Sequence, residues 1–323
     1  MNPARLARAF SRHPWAGPLA ALVLVYLLFV ALAPETFARP VNLVTMARQT
    51  AVVGLAATGA TLVILLGGID LSVGSGVALT TVVIASCLRG GAGPATAAAA
   101  GVAVAALSGL ANGAAVTGLR ITPFIVTLGS MSILRGAAKG LADEQKIDAD
   151  TLGLDALALP SRGLLGLPAS VWLLFAVALL TACALHLTRF GRHVFAIGSN
   201  ERTARLCGIR VGRVKVAVYT LAAALTGLAG LLEFATLTVG DPTDSFGLEL
   251  EVIASVVIGG GSLSGGEGSI LGTLIGAFLM TVIKTGCTHL GLSNWVQELL
   301  TGGIIVLAVG LDRVRRARRV GSG

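Results

Sequence analysis

Apolar segments of roughly 20 residues, the length needed to cross the hydrocarbon core of a bilayer, recur along the whole of this 323-residue chain. Hydrophobic residues make up 54% of the sequence and charged residues only 12%, and no polar block is long enough to form a soluble domain. The 43 glycines and the low aromatic content of 5% indicate helices that pack closely through small residues. The sequence therefore predicts a single all-α, polytopic membrane domain.

The apolar segments divide into about ten expected spans. The seventh, Lys215–Ala235, is followed by a short eighth, Val252–Ile258, which at ~1.5 Å per residue is too short for a full span and favours a half-helix completed by the glycine loop after it. The remaining eight are Trp15–Pro34, Val44–Leu66, Val73–Leu88, Ala95–Thr117, a fifth from Thr122 to near Gly140, Ala169–Leu187, Ile270–Thr285 and Asn294–Gly310.

Charge fixes the expected orientation. The net charge of +8 is concentrated before the first span, in the central loop 188–213 and after the last span, whereas acidic residues cluster in 143–155 and 241–251. The positive-inside rule places the three basic regions in the cytoplasm and the acidic loops outside. The chain is thus expected to comprise a cytoplasmic tail (1–14), a membrane domain (15–312) and a basic cytoplasmic tail (313–323), both termini being cytoplasmic. The basic excess reflects topology and gives no reason to expect a nucleic-acid partner.

Chemical motifs are scarce. The four cysteines and four histidines are scattered, so no metal site is expected, and no G-x-x-x-x-G-K-[ST] motif for nucleotide phosphates occurs. No paired carboxylates suggest general acid–base catalysis. The ionisable residues within spans form no evident proton-relay series: Arg48, Arg135, Lys139, Glu233, Lys284 and Glu298.

A glycine–aspartate stretch, Gly67–Ser75, separates the second and third spans. A carboxylate at membrane depth normally faces a protein interior or an aqueous path, and irregular glycine-rich backbone is tolerated there only when protein or a cavity surrounds it. Asp70 or Ser72 is also suited to cap the helix that follows. On residue chemistry alone, a break lining a path and a short surface loop with an N-cap stay equally open.

A second glycine-rich stretch, residues 259–268, ends the short eighth segment. One glycine-interrupted helix in each half of a membrane protein is typical of a transport route built from repeats, with the site near the bilayer midplane. The glycines Gly268, Gly272 and Gly276 also form a stripe of small residues that predicts close helix contact.

The central basic loop contains a predicted short helix, Asn200–Gly208, of about two turns. Ser199 or Asn200 is expected to cap it, Glu201 suits its first turn and Gly208 ends it, with Ala204 as its small centre. A solvated connector is the alternative.

Several segments together resemble the permease subunits of ribose/xylose-type monosaccharide ABC importers. The glycine–aspartate stretch carries most of this resemblance, which extends from about Val44 to Leu311 with only minor departures at Ser199 and Cys207. The other matching segments, in order, are Asn112-Gly113, Thr122–Gly129, Ala196–Glu201, Gly259–Leu263 and Gly265-Gly266.

The resemblance implies a type II-like importer fold in the bacterial inner membrane, with two permease subunits (identical or different) around one path. A periplasmic sugar-binding protein would deliver a pentose or hexose, and a cytoplasmic ATPase would carry ATP and Mg²⁺, so this chain would need no cofactor and would not be an enzyme. The implied path residues are Gly67, Gly68, Asp70, Ser72, Asn112, Pro123, Phe124, Thr127, Gly260, Gly261 and Ser262. The implied coupling residues, within the loop 188–213, are Asn200, Glu201, Ala204, Arg205 and Gly208.

Two other functions remain open at this point. A stand-alone secondary carrier or facilitator for a small polar solute would need its own coupling ionisable residues in mid-span. A membrane enzyme would need a catalytic cluster, which the sequence does not reveal. Within the importer hypothesis, Asp70 is expected to order the glycine break by capping the third span, and Ala204 with Leu206 to form the centre of a docking knob for the ATPase.

Overall fold

The computed structural model describes residues 15–160 and 165–320, and these form a bundle of helices. In chain order the helices are α1 (Ala16–Leu32), α2 (Pro40–Leu65), α3 (Val73–Arg89), α4 (Pro94–Gly118), α5 (Pro123–Leu141), α6 (Ala169–Leu187), α7 (Arg189–Ser199), α8 (Glu201–Leu206), α9 (Val211–Leu237), α10 (Leu248–Ile258), α11 (Ile270–His289) and α12 (Asn294–Val320). A 3₁₀ turn, Leu154–Leu157, lies between α5 and α6.

Helix α2 occupies the centre of the bundle, and every residue from 50 to 65 is buried. Small residues allow this, because backbones approach closely where side chains are absent. At Gly59 an added Cβ would lie 2.7 Å from the carbonyl oxygen of Ala222 in α9. The hydroxyls of Thr58 and Thr61 donate to carbonyl oxygens one turn earlier, and Thr61 also pairs with Thr273 of α11 at 2.8 Å. These threonines are therefore buried without unmet hydrogen-bonding demand.

Helix α9 packs most extensively against α4, and then against α2 and α3. Glycines again mark the contact: Gly109 and Gly113 of α4 lie against Tyr219 and Val216, and Gly227 of α9 lies against Val102. The predicted stripe on α11 behaves in the same way, since Gly272 and Gly276 contact the backbone of α10. Close contact at this stripe is confirmed for these two residues.

The predicted polytopic helical class is confirmed, but the count of ten spans is not. Within the described residues, five helices are long and apolar enough to cross a membrane: α2, α4, α6, α9 and α11. The apolar helices α1 and α3 have 17 residues each, and α10 has 11. Helix α12 runs without interruption to Val320, through most of the predicted basic tail 313–323, while the predicted tail 1–14 lies outside the described residues.

Two features of the connections do not follow from the sequence pattern. A two-residue antiparallel pair joins β1 (Ile147–Asp148) to β2 (Val239–Gly240), with Ile147 opposite Gly240. This pair ties the loop after α5 to the loop after α9 and so places both at the same end of the bundle. The central basic loop contains α7 as well as the expected short helix α8, and the Thr188 hydroxyl caps α7 by accepting from the Gly191 amide at 3.3 Å.

Candidate functional site

The first glycine break begins where α2 ends. The Gly67 amide donates to the Ile64 carbonyl at 2.8 Å, and the Gly68 amide donates to the Val63 carbonyl at 3.0 Å. Gly67 adopts φ +76°, a left-handed conformation that costs glycine nothing. This pair of bonds is the Schellman arrangement, which satisfies carbonyl groups at a helix C-terminus. Glycine at position 67 is therefore the residue that lets α2 stop inside the bundle.

Asp70 is buried, with 6% of its surface exposed, and its Oδ1 accepts two hydrogen bonds from Ser72. The donors are the Ser72 amide at 2.8 Å and the Ser72 hydroxyl at 2.5 Å. The N-cap position of α3 is Ser72, but no side chain there accepts from the first turn of α3. The prediction that Asp70 or Ser72 caps α3 is thus wrong. Asp70 instead closes the turn that precedes the helix, as aspartate does when it bonds backbone two residues ahead.

Two other helices complete this polar set. Asn112 of α4 donates through Nδ2 to the Ser72 hydroxyl at 3.3 Å, and the Thr127 hydroxyl of α5 donates to the Ile69 carbonyl at 3.1 Å. Both side chains are buried. Four residues expected on the path (Asp70, Ser72, Asn112 and Thr127) are therefore brought together here.

Pro123 and Phe124 lie in the first turn of α5, beside that polar set, and the Phe124 carbonyl also accepts from the Thr127 hydroxyl at 3.4 Å. Pro123 occupies a first-turn position, where its missing N–H costs nothing. The Phe124 side chain is 50% exposed.

Tyr219 of α9 also faces the break, and the sequence analysis did not single it out. Its side chain is 1% exposed, and a Cβ on Gly68 would lie 2.6 Å from its hydroxyl oxygen. Among the described residues, this hydroxyl has no hydrogen-bond partner. Gly109 of α4 lies against the Tyr219 carbonyl and Gly113 against its Cβ, so α4 approaches α9 closely at this residue. The sequence offered one signal for Tyr219, its composition. The chain has only two tyrosines, and Tyr219 is a polar-tipped side chain inside an apolar span.

The second glycine break starts with the same helix ending as the first. The Gly260 amide donates to Val257 at 3.0 Å and the Gly261 amide to Val256 at 2.8 Å, with Gly260 at φ +93°. The loop then closes on itself, because the Ser262 amide donates to the Glu267 carbonyl at 2.9 Å. The Ser269 hydroxyl accepts from the Gly272 amide at 3.1 Å and so caps α11.

The two breaks contact each other. The Gly266 amide donates to the Leu65 carbonyl at 2.9 Å, which joins the second break to the end of α2. A Cβ on Gly265 would lie 2.8 Å from the Gly67 amide nitrogen, so the two backbones touch with no side chain between them. Gly198 of α7 packs against Leu65 and Gly266. Both breaks therefore lie against the end of α7, on the side of the bundle that carries the central basic loop.

The start of α10 reaches the start of α3 inside the bundle. The Ser245 carbonyl and the Glu249 carboxylate both abut Gly74, in the first turn of α3, where a side chain would not fit. Arg135 of α5 holds this loop, since its Nη1 donates to the Pro242 carbonyl at 2.9 Å and to the Asp244 carbonyl at 2.7 Å. The sequence indicated Arg135 as a charge at membrane depth but gave no partner for it.

Asp241, at the outer end of the same loop, is bound by local donors. Its Oδ1 accepts from the Thr243 amide at 2.8 Å and the Thr243 hydroxyl at 2.7 Å, and Lys146 lies 3.0 Å from Oδ2. Partial burial raises the pKa of Asp241, but the bonds from Thr243 and the ammonium group of Lys146 together lower that pKa below its ordinary value.

A charged cluster lies between α2, α9, α10 and α11. Lys284 pairs with Glu251 at 3.4 Å, and Glu233 lies close enough to Arg48, Asp244, Glu251 and Lys284 for their charges to act on it. The sequence analysis found no relay among the span ionisable residues because the members come from helices far apart in the chain. The structure brings three of those six residues (Arg48, Glu233 and Lys284) into one neighbourhood.

Helix α8 has the predicted ends. Asn200 caps it, as its Oδ1 accepts from the Thr203 amide at 3.0 Å, and Gly208 ends it at φ +82°. Glu201 forms two ion pairs, with Arg205 at 2.6 Å and with Lys215 of α9 at 2.8 Å. The hydrogen bond from Lys215, with that from Arg205, outweighs partial burial and lowers the pKa of the Glu201 carboxyl.

Ala204 does not lie on the outer face of α8. Only 3% of it is exposed, and it packs in a cluster that includes Val194, Ile197 and Val211. The prediction that Ala204 forms the centre of a docking knob is therefore wrong. Leu206, the other residue expected there, is 89% exposed and faces away from the chain.

Comparison with known proteins decides the family. Residues 42–309 match the family model described as "Branched-chain amino acid transport system / permease component". The chain belongs to this permease family. The predicted extent of the resemblance, Val44 to Leu311, agrees with the matched range. As a permease component the protein is a transport subunit and not an enzyme, in keeping with its lack of a phosphate-binding motif.

The curated relatives of this permease are named for sugars. It is 39% identical to the ribose import permease protein RbsC of Escherichia coli K12 over 304 residues, 92% of this chain and 93% of that protein. It is also 39% identical to the RbsC protein of Bacillus subtilis 168 over 303 residues, covering 93% of each. The D-allose transport system permease protein AlsC of E. coli K12 is 33% identical over 299 residues, 92% of this chain and 91% of that protein.

Proposed function

We propose that this permease is the membrane-spanning subunit of an ABC importer and forms the translocation path for a monosaccharide of the pentose or hexose class. The observation that carries the proposal is the buried polar set at the first glycine break, which α4, α5 and the broken α2–α3 segment build inside an apolar bundle. Polar groups at that depth are costly unless they serve a route or a fold. The sugar class rests on the named substrates of the relatives.

The importer proposal includes a type II-like arrangement with ten spans, which are α1 to α6 and α9 to α12. Helices α7 and α8 then lie in the cytoplasm, and both termini are cytoplasmic, as the distribution of charge favours. The β1–β2 pair supports this topology, since it holds the two acidic loops at one end, opposite the contact between α7 and the breaks. The location that follows is the bacterial inner membrane.

Partners supply what this chain lacks. A second permease subunit, identical or different, would complete the path, and a periplasmic sugar-binding protein would deliver the solute. A cytoplasmic ATPase would hold ATP and Mg²⁺ and dock on α8. Leu206, the last residue of α8, is exposed next to the ion-paired Arg205. It offers such a partner an apolar contact. Ala204 serves instead to seat α8 on its own bundle.

One observation favours a second candidate function. The cluster of Glu233, Arg48 and Lys284 provides ionisable groups at membrane depth, which a stand-alone carrier driven by an ion gradient would require. The two functions differ in their energy source, so one experiment separates them.

The experiment uses the permease co-expressed with a candidate partner ABC ATPase from the same organism and reconstituted in proteoliposomes with a candidate sugar-binding protein. We expect the ATPase to co-purify with the permease and sugar uptake to require internal ATP. Uptake by the permease alone, driven by a proton or sodium gradient, would overturn the importer and establish the carrier.

A labelling experiment tests the orientation. In a background that lacks the four native cysteines, a single cysteine at Asp148 or Asp150 should react with an impermeant maleimide added from outside, and one at Arg202 should not. Strong external labelling at position 202 would contradict the cytoplasmic placement of α8.

A further inference from the structure

One face of α9 contacts both regions to which the importer proposal assigns a function. Lys215 and Tyr219 are four residues apart in α9, and side chains at this spacing lie on the same face one turn apart. Lys215 reaches α8, and Tyr219 reaches the first glycine break. A single rigid turn of helix therefore separates the expected ATPase contact from the expected path.

The contact with α8 is an ion pair that is shielded on one side. Lys215 lies 2.8 Å from Glu201, and its side chain is 18% exposed, whereas Arg205, the other partner of Glu201, is 65% exposed. Exposed ion pairs contribute little because solvent screens them, and shielding strengthens a charge-assisted hydrogen bond. Arg205 also belongs to α8 itself, so Lys215 is the cation that fixes α8 to the bundle.

The contact with the break is a close packing of the phenol. The Tyr219 hydroxyl lies where a side chain at position 68 would be, and among the described residues it has no hydrogen-bond partner. A buried polar group without a partner costs free energy in this state. A group that is unsatisfied in one state and gains a bond in another biases the equilibrium between the two. Because the hydroxyl abuts Gly68, a displacement of α9 relative to the break changes its surroundings.

We propose that Lys215 and Tyr219 are positioning residues that transmit displacement of α8 along α9 to the first glycine break. This inference rests on the proposed function of α8 as the contact with the ATPase. It assigns a role to a cation that the sequence placed only at the start of the seventh span, and to a tyrosine that no motif contains.

The test measures sugar uptake and ATP hydrolysis on the same proteoliposomes, which contain the complete importer complex, and takes their ratio. Lys215→Met should leave recovery of the complex and ATP hydrolysis in place and lower the ratio at least about fivefold, the smaller end of typical coupling energies. Lys215→Arg should retain most of the ratio. The matched control is Arg213→Met, which removes an exposed cation from the same helix end.

A charge exchange tests the ion pair directly. Glu201→Lys and Lys215→Glu should each lower the ratio, and the double variant should recover at least part of it, since the pair is restored in reverse. Equal ratios for Lys215→Met and Arg213→Met, or a double variant no better than either single one, would overturn the role of Lys215.

Tyr219→Phe separates positioning from stability. It removes only an unsatisfied hydroxyl, so the unfolding temperature should stay the same or rise while the uptake ratio falls. An unchanged ratio would overturn the role of Tyr219. An unchanged ratio in these variants would overturn the positioning role alone. If the importer proposal were wrong, sugar uptake by the wild-type protein would itself be independent of ATP.

Discussion

The two glycine breaks begin alike and continue differently. In both, a pair of glycines ends a helix through the same two backbone bonds, with Gly67 and Gly260 in the left-handed conformation. After that point the first break is held by side chains, from Asp70, Asn112 and Thr127. The second is held by its own backbone and by glycines. The first break should therefore respond to polar substitutions, and the second to any added volume.

The largest effect is expected in the second break. Gly265→Ala places a Cβ at φ +86° and 2.8 Å from the Gly67 amide nitrogen, where only backbone movement makes room. Left-handed strain and overpacking together should cost on the order of 3 kcal/mol. The midpoint of thermal unfolding in detergent measures this, with Gly17→Ala as control, because a Cβ there meets nothing within 4 Å. Equal unfolding midpoints for Gly265→Ala and Gly17→Ala would show that the second break tolerates added volume, contrary to the comparison above.

The next effect concerns the buried carboxylate of the first break. Asp70→Leu leaves the Ser72 amide and hydroxyl without their acceptor and should cost about 2–3 kcal/mol, while Asp70→Asn keeps an acceptor oxygen and should cost about 1 kcal/mol. Sugar uptake should be lost in the first variant and partly kept in the second. Normal insertion and wild-type uptake for Asp70→Leu would show that side chains do not hold this break.

A matched pair of buried hydroxyls sharpens the comparison. Thr127 bonds the Ile69 carbonyl across helices at 3.1 Å, whereas Ser262 accepts only a local bond from the Ser264 amide at 3.2 Å. Thr127→Val should cost about 1 kcal/mol and Ser262→Ala about half of that. Unfolding midpoints of the two variants provide the measurement. If Ser262→Ala lowered the unfolding midpoint more than Thr127→Val, side chains would support the second break more than the first, and the comparison would be wrong.

The smallest effect is expected outside both breaks, at the pair of Lys146 and Asp241. Because 66% of the Lys146 side chain is exposed, Lys146→Met should cost at most ~0.5 kcal/mol. The folded pKa of Asp241 is lowered, so its stabilising contribution is complete above the unfolded value of 3.8 and disappears as the pH falls through the lowered folded pKa. At pH 7 this contribution is complete, so the unfolding midpoint of Lys146→Met should show its full loss there, and that loss should stay within ~0.5 kcal/mol of the wild type. A loss as large as that of Thr127→Val would contradict this baseline.

Hydropathy and local capping signals carried most of the correct predictions. Long apolar runs located the helices, since burial in lipid or protein demands them, and Asn200 and Gly208 marked the ends of α8 through local backbone chemistry. Two breaks could be expected from two glycine clusters. That the clusters touch through Gly67 and Gly265 could not, because the sequence does not state which helices are neighbours.

The errors share a physical cause. Ala204 was placed on the wrong face because a six-residue helix has too few turns for a periodicity to define its buried side. Asp70 appeared to be a cap because an acceptor two residues before the N-cap residue is equally suited to bond the helix or the turn before it. Tyr219 was not recognised, and Arg135 was noted without a partner, because their contacts come from glycines and carbonyl groups of remote segments.

The close backbone contact of α11 with α10 and the residue after it, at two glycines of α11, has a mechanical consequence. Gly259 touches Gly272, and Gly276 touches Ser255, along the shared seam. Backbones packed this closely resist sliding past each other, so we expect the α10–α11 hairpin to tilt as one unit. The 11 residues of α10 give this unit an arm of roughly 16 Å at 1.5 Å per residue, and a tilt of about 10° moves its tip by about 3 Å. This displacement is about the width of a water molecule. It would occur at the start of α10, where Glu249 abuts Gly74.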